Sequence, residues 1–257
     1  MSKEFRRKEA NKINNKSAVI LCIQWILILI IIFCSVKIII WFISSKEDSK
    51  KNTILSDQVV KIYTNTNNID IYEPQVKEET KVYIDFDKLA EINSDIVGWI
   101  IIDGTNINYP ILHAGDNDFY LHRNYLKEYS QSGSIFLDYE NNSLDESNII
   151  LYGHNMSDGL MFHQLSKIYN FELGDNIDVK IITKTETKIY SVFSTYMISP
   201  DEFENMSNFD EVISKSIINF KYNSIDKSKI LTLYTCNSIG DKRIIVHAAL
   251  SNTIVNN

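Results

Sequence analysis

The sequence predicts a mainly β domain, a small closed barrel of eight strands, carried behind an N-terminal membrane helix. Three observations support this. Residues Ala18 to Val36 (AVILCIQWILILIIIFCSV) are uncharged and almost wholly apolar. Beyond residue 82, eight short runs of β-type composition succeed one another, many of them apolar at alternate positions and separated by turn signals. Helical spacing in that region is confined to its beginning and to one later insertion.

The elements follow in order. At about 1.5 Å per residue the first apolar run spans roughly 28 Å, the thickness of a bilayer's hydrocarbon core. Apolar character resumes after Lys37 as IIIWFI, with Lys37 able to snorkel and Trp41 suited to an interface. A cleaved signal peptide is the competing reading, but it calls for a shorter apolar stretch and a small-residue cleavage site, for which Ser44-Ser45 is a weak match. Lys3, Arg6, Arg7, Lys8, Lys12 and Lys16 precede the run against only Glu4 and Glu9, so residues 1–17 are expected in the cytoplasm, 18–43 as the anchor helix, and the rest outside. Residues 44–81, rich in Lys, Asn, Asp, Glu and Thr without an apolar period, read as a solvated stalk. The folded domain is expected over 82–257.

That domain opens with DFDKLAEINSDIVGWI, where Phe86, Leu89, Ile92 and Ile96 recur at helical spacing. The strands are then VGWIIID, INYPIL, SIFLDY, NIILY, IDVKII, KIYSVFSTYMI, KILTLYTC and RIIVHAAL, with Asp103-Gly104-Thr105-Asn106 turning between the first two. Between the sixth and seventh, DEVISKSIINF (residues 210–220) carries Val212, Ile213, Ile217 and Phe220 at helical spacing and predicts an inserted helix.

From Val82 onward 13 Lys and Arg stand against 24 Asp and Glu, a balance that argues against nucleic acid or anionic lipid as a partner. Cys22 and Cys34 lie in the apolar run, leaving Cys236 as the one cysteine of the exported part. A single exported thiol can be buried and inert, can pair between chains, or can be a nucleophile. Asp and His are not grouped at zinc spacing, and neither a P-loop nor a dinucleotide glycine pattern occurs, so no metal and no cofactor is expected.

The last two strands read as a hairpin joined by residues 237–242. Cys236 ends one and Arg243 begins the next. If Leu231 and Leu233, with Ile244, Val246 and Ala248, face the core, the two-residue period puts Cys236 and Arg243 together on the opposite face. His154, in LYGHNM, follows a strand through a glycine, a position where a scaffold fixes a group and leaves one side open. His113, His122 and His163 have ordinary structural explanations; so does His247, although it shares the face of Arg243 and stands in reserve. A thiol, an imidazole and a guanidinium suffice for acyl transfer. On these residues alone an exported cysteine peptidase or amidase, releasing its acyl group to water, and a non-catalytic adhesin or receptor with Cys236 in its core both remain open.

LYGHNM, TLYTC and the following RIIV resemble the histidine, cysteine and arginine motifs of sortases, in that order. INSDIVGWI, INYPIL, DNDFYL and GSIFLDY resemble the class B branch. The resemblance covers residues 82–250. It implies the eight-stranded sortase barrel with N-terminal helices and a helix between strands six and seven. It also implies a cysteine transpeptidase that cleaves a C-terminal sorting signal of surface proteins after Thr and joins the new carboxyl end to a peptidoglycan amine through a thioacyl intermediate on Cys236. His154 would then be general acid and base, and Arg243 would steady or position the acyl group. Tyr234 and Thr235 would lie by the substrate groove; Tyr234 stands where class B members often have serine, which bears on substrate preference. Class B sortases lack the calcium site of class A, so the resemblance adds no metal.

Overall fold

The computed structural model describes residues 3–64, 80–202, 208–222, 224–236 and 242–256. They divide into two compact units, Met1–Glu47 and Asp48–Asn257. Helix α1 (Lys3–Val59) supplies all the described structure of the first unit and opens the second. Its side chains from 19 to 40 are exposed on every side, apolar ones included. A helix apolar all round has no face to turn toward water, and lipid is the solvent that fits it. The stretch is long and apolar enough to cross a membrane, as an anchor or as a signal segment.

The second unit is a closed barrel. Its strands are β3 (Ile96–Ile102), β4 (Asn108–Leu112), β5 (Ile135–Leu137), β6 (Asn148–Gly153), β7 (Asp178–Ile182), β8 (Glu186–Ile198), β9 (Asp226–Cys236) and β10 (Arg243–Val255). They close in the order β10-β8-β7-β3-β4-β5-β6-β9. The pairs β4·β5 and β6·β9 are parallel and the others antiparallel. Alternate residues fill the interior: Ile100, Ile111, Ile135, Leu151, Val179, Tyr190, Leu231 and Val246 belong to one buried cluster. That two-residue period is what the sequence displays, and all eight expected strands are present.

Among the described residues, two further apolar clusters cover the outside of the barrel. A second apolar cluster joins Leu55 and Val59 of α1 to Leu89 of helix α2 (Phe86–Ile92) and to Trp99, Leu112, Tyr120 and Phe136. Past the short helix α3 (Leu165–Tyr169), a third joins Phe209 and Val212 of helix α4 (Phe209–Ser214) to Phe193, Tyr196 and Ile245.

Three expectations change. Residues 48–59 are not solvated stalk: Leu55 and Val59 are 1% and 0% exposed, and the buried Asp48 carboxylate accepts hydrogen bonds from Ser130 (2.7 Å) and Ser132 (3.0 Å). Strand β1 (Val60–Thr64) then pairs antiparallel with β2 (Thr80–Ile84); the rest of the expected stalk, 65–79, lies outside the described residues. The opening helix stops at Ile92, because Asn93 is extended and its side chain is committed to Tyr120 and to the Asp95 N–H, which leaves Ile96 to begin a strand. The inserted helix ends at Ser214 rather than running to 220. Beyond it the Ser216 hydroxyl accepts from the Thr195 N–H and donates to the Ile218 carbonyl, while the Ile217 N–H bonds the Thr195 carbonyl, so the backbone is tied to β8 instead of to its own helix.

Candidate active site

Three neighbouring strand ends converge. Arg243, first residue of β10, is the register partner of Cys236, last residue of β9. On the other side of β9, Gly153 of β6 is the parallel partner of Thr235, so His154 and Cys236 are the next positions along two adjacent strands. Neighbouring strands lie about 4.8 Å apart, which puts the backbones of all three residues within side-chain reach of one another. The expected inward set is as read from the sequence: Leu231, Leu233, Ile244, Val246 and Ala248 all lie in the barrel interior.

Local packing explains why β6 ends as it does. A Cβ on Gly153 would stand 2.5 Å from the Ile135 side chain and 2.8 Å from the Phe162 ring, so only glycine lets the strand end pass over them. The chain beyond returns at once, with the Phe162 N–H donating to the His154 carbonyl at 2.9 Å and Asn155 bridging to Met161.

The His154 imidazole is half-buried, and its Nε2 lies 2.8 Å from the Leu121 carbonyl oxygen. A carbonyl can only accept, so Nε2 carries the proton, and in the neutral ring Nδ1 is left as the proton-accepting nitrogen. Burial pushes the ring below the ordinary histidine value; the bond to Leu121 works against that shift, and the nearby His122, whose ring centre is 6.1 Å away, adds to it. A largely neutral imidazole at physiological pH is the form able to take a proton from a thiol.

Tyr234 and Thr235 separate. Tyr234 is half-exposed and meets Tyr152 of β6 edge-on, with ring centres 5.3 Å apart. Tyr152 in turn packs on Phe136 and donates its hydroxyl to the Asp138 carboxylate at 2.7 Å. Thr235 is 1% exposed and alternates inward with Leu231 and Leu233, so it supports the strand end and does not offer its side chain to a ligand. His247, the reserve candidate, is 1% exposed, bonded through Nε2 to Tyr196 (2.9 Å) and through Nδ1 to Thr232 (3.0 Å). Both nitrogens are used in packing, and the residue lies four positions along β10 from Arg243. Of the other histidines, His163 bonds Asn155 at 2.7 Å, and His122, though its ring neighbours that of His154, is exposed beside Asp118.

Sequence reasoning missed the groups that hold the histidine and the aromatic ledge. Leu121 acts through a backbone carbonyl, which every residue carries, so no residue type marks it. Tyr152 stood within LYGHNM, but its link to Asp138 depends on the pairing of β5 with β6.

Comparison with known proteins agrees with this architecture. The family described as the sortase domain matches residues 100–251. Sortase B of Listeria monocytogenes is 32% identical over 213 residues, covering 76% of this chain and 81% of the relative. The crystal structure of sortase B from B. anthracis in complex with AAEK1 is 31% identical with a TM-score of 0.63, over 82% of this chain and 99% of that one. A Staphylococcus aureus sortase B-substrate complex is 34% identical with a TM-score of 0.57, over 65% and 84%. Sortases are exported enzymes, in keeping with an apolar N-terminal helix. The chain belongs to the sortase family and is a sortase B-type cysteine transpeptidase.

Proposed function

We propose that Cys236, His154 and Arg243 are the catalytic groups, and that the substrates are surface proteins bearing a C-terminal sorting signal cut after Thr. The convergence of the three strand ends carries this reading. The thiol gives its proton to His154 Nδ1, and the sulfur attacks the threonine carbonyl carbon. The Arg243 guanidinium donates to the oxygen on which negative charge gathers. As the C–N bond breaks, the imidazolium returns its proton to the departing amine, leaving a thioester on Cys236. An amine of a peptidoglycan precursor then attacks the thioester carbon and His154 takes its proton; as the amide forms the C–S bond breaks, and the imidazolium returns that proton to the departing sulfur. Tyr234, half-exposed two residues before Cys236, lines the approach. The S. aureus sortase B-substrate complex supports a substrate bound to this barrel.

For the placement of the chain we propose a cytoplasmic N-terminus at 1–17, a retained anchor at 18–43, and a catalytic domain on the outer face of the membrane. The test is to incubate the full chain in detergent micelles with a library of sorting-signal peptides, with and without an oligoglycine amine. Peptide cleavage after Thr with transfer to the amine is expected, and both are expected to vanish in Cys236→Ala with the fold intact. Turnover by the alanine variant, or release to water alone with the amine present, overturns the reading.

A further inference from the structure

The GSIFLDY motif places Gly133 against the carbonyl that holds the catalytic histidine. Residues 120–123 run beside 130–134: the Ser134 N–H donates to the Tyr120 carbonyl (3.0 Å), the Ser130 N–H to the His122 carbonyl (3.0 Å), and the Ser134 hydroxyl to the Arg123 carbonyl (2.8 Å). The Leu121 carbonyl, between these, goes to His154 Nε2. Gly133 has φ +56°, and a Cβ there would lie 2.4 Å from the Leu121 oxygen and 2.8 Å from the Tyr120 oxygen. Both are backbone atoms, fixed by the hydrogen bonds just named, and cannot rotate away as a side-chain end would.

We infer that Gly133 is a positioning residue for catalysis: by lacking a side chain it lets the Leu121 carbonyl stand where it fixes the His154 ring with its proton on Nε2. The inference rests on His154 being the acid-base group. Relieving the contact to 3.0 Å, the shortest that real Cβ atoms show, requires the oxygen or the glycine to shift by at least about 0.6 Å. Applied to a 2.8 Å hydrogen bond, a shift of that size takes the oxygen out of bonding range or drives it against the ring. The ring is then free to swap tautomers, and the nitrogen offered to the thiol is no longer fixed. The other ionisable groups around the ring are His122, with Asp118 beyond it, and Cys236 and Arg243 on the neighbouring strand ends; the atoms nearest the added Cβ are backbone atoms of Tyr120 and Leu121 and belong to none of them.

The test uses the full chain in micelles with three variants. Gly133→Ala should lower kcat about tenfold to a hundredfold while KM stays within about twofold, as misplacement of a catalytic group by a fraction of an ångström does. Gly133→Asn carries the same Cβ but tolerates a positive φ more readily, so it should show the same loss if the alanine variant folds poorly. Gly174→Ala bears the same backbone penalty, at φ +81°, with no atom within 4 Å of the added Cβ, and should keep the parental kcat. Histidine 15N spectra are recorded in a Cys236→Ala background, where the ring titrates without its partner. The parent should show Nε2 protonated and Nδ1 bare, and the Gly133 variants a mixture. A parent ring protonated on Nδ1, or Gly133 variants with parental kcat and tautomer, overturns the inference; should neither variant fold, the parental tautomer decides it. Unimpaired turnover by His154→Ala would instead overturn the catalytic assignment itself.

Discussion

The Tyr234 and Tyr152 rings form a T-shaped pair, with ring centres 5.3 Å apart and planes at 70°, on two strands paired in register. The pair is anchored from below, because the Tyr152 hydroxyl donates to Asp138, whose carboxylate also takes the Asn117 amide (3.1 Å) and the Glu140 N–H (2.8 Å). Burial, followed by the hydrogen bond to Asp138 and then its charge, holds the Tyr152 phenol well above its ordinary value, so it donates throughout the working range. Tyr234 is thereby given a fixed floor close to the end of β9.

The first prediction follows from that floor. Tyr234→Ser should change the ranking of sorting-signal peptides by kcat/KM while leaving the melting temperature within a few degrees, since Tyr234 is half-exposed. Tyr152→Phe should do the reverse, costing about 1–2 kcal/mol by withdrawing a donor from a buried carboxylate. Peptide competition assays and thermal melts separate the two. An unchanged peptide ranking in Tyr234→Ser would remove that ring from recognition.

The second prediction concerns where the domain begins. Deleting residues 1–43 should leave a soluble, active enzyme. Deleting 1–59 should not, because it removes Leu55 and Val59 from the second cluster and Asp48 from Ser130 and Ser132. Two fully buried aliphatic side chains contribute about 3–6 kcal/mol, a large share of an ordinary domain's stability. Urea unfolding of the two truncations measures the difference; equal midpoints would mean that residues 48–59 are dispensable.

These cases show what the sequence made legible. The barrel strands announce themselves because one face of each is buried, which imposes a two-residue period. The same period puts Cys236 and Arg243 on one face once Leu231 and Leu233 turn inward, and the hairpin pairing makes them register partners. Residues 48–59 escaped notice because Ile54, Leu55 and Val59 are the few apolar positions among polar ones and form no sustained period, and the cluster that buries Leu55 and Val59 draws on residues as distant as Tyr120 and Phe136. The end of α4 was hidden for a related reason: Ile217 keeps helical spacing but is 55% exposed, and the termination is set by Ser216 bonding to a strand distant in sequence. Contacts made by backbone atoms, Leu121 above all, leave no mark on residue type.

The third prediction is acid sensitivity of the fold. Burial, with a further contribution from Lys215, depresses the His247 imidazole to about 3. The unfolded chain titrates near the ordinary value of about 6.5, so between those limits it binds a proton that the folded state refuses. Stability is therefore fully present above about 6.5 and falls as the pH drops toward 3, by about 2 kcal/mol at pH 5 for this group alone. Replacing His247 with Gln should flatten the dependence of the unfolding free energy on pH between 6.5 and 4, whatever it costs at neutral pH. An unaltered slope would mean that other groups set the acid response.

The last prediction is that Arg243→Lys is far from conservative. A guanidinium presents a planar fork of donors, which one ammonium cannot reproduce toward a carbonyl or an oxyanion. Because the proposed role is to meet charge that grows during thioester formation, its loss should lower kcat about a hundredfold to a thousandfold and change KM much less. Arg123→Lys is the control within the same domain: that guanidinium lies over the Phe119 ring at 4.4 Å, a cation–π contact that lysine can also make. Parental kinetics are expected from the control. A fall in KM-linked binding alone for Arg243→Lys would reassign the residue from the reacting centre to peptide docking. Parental kinetics from both variants would reduce the register of Cys236 with Arg243 to an ordinary hairpin pairing, and the site would have to be rebuilt around Cys236 and His154 alone.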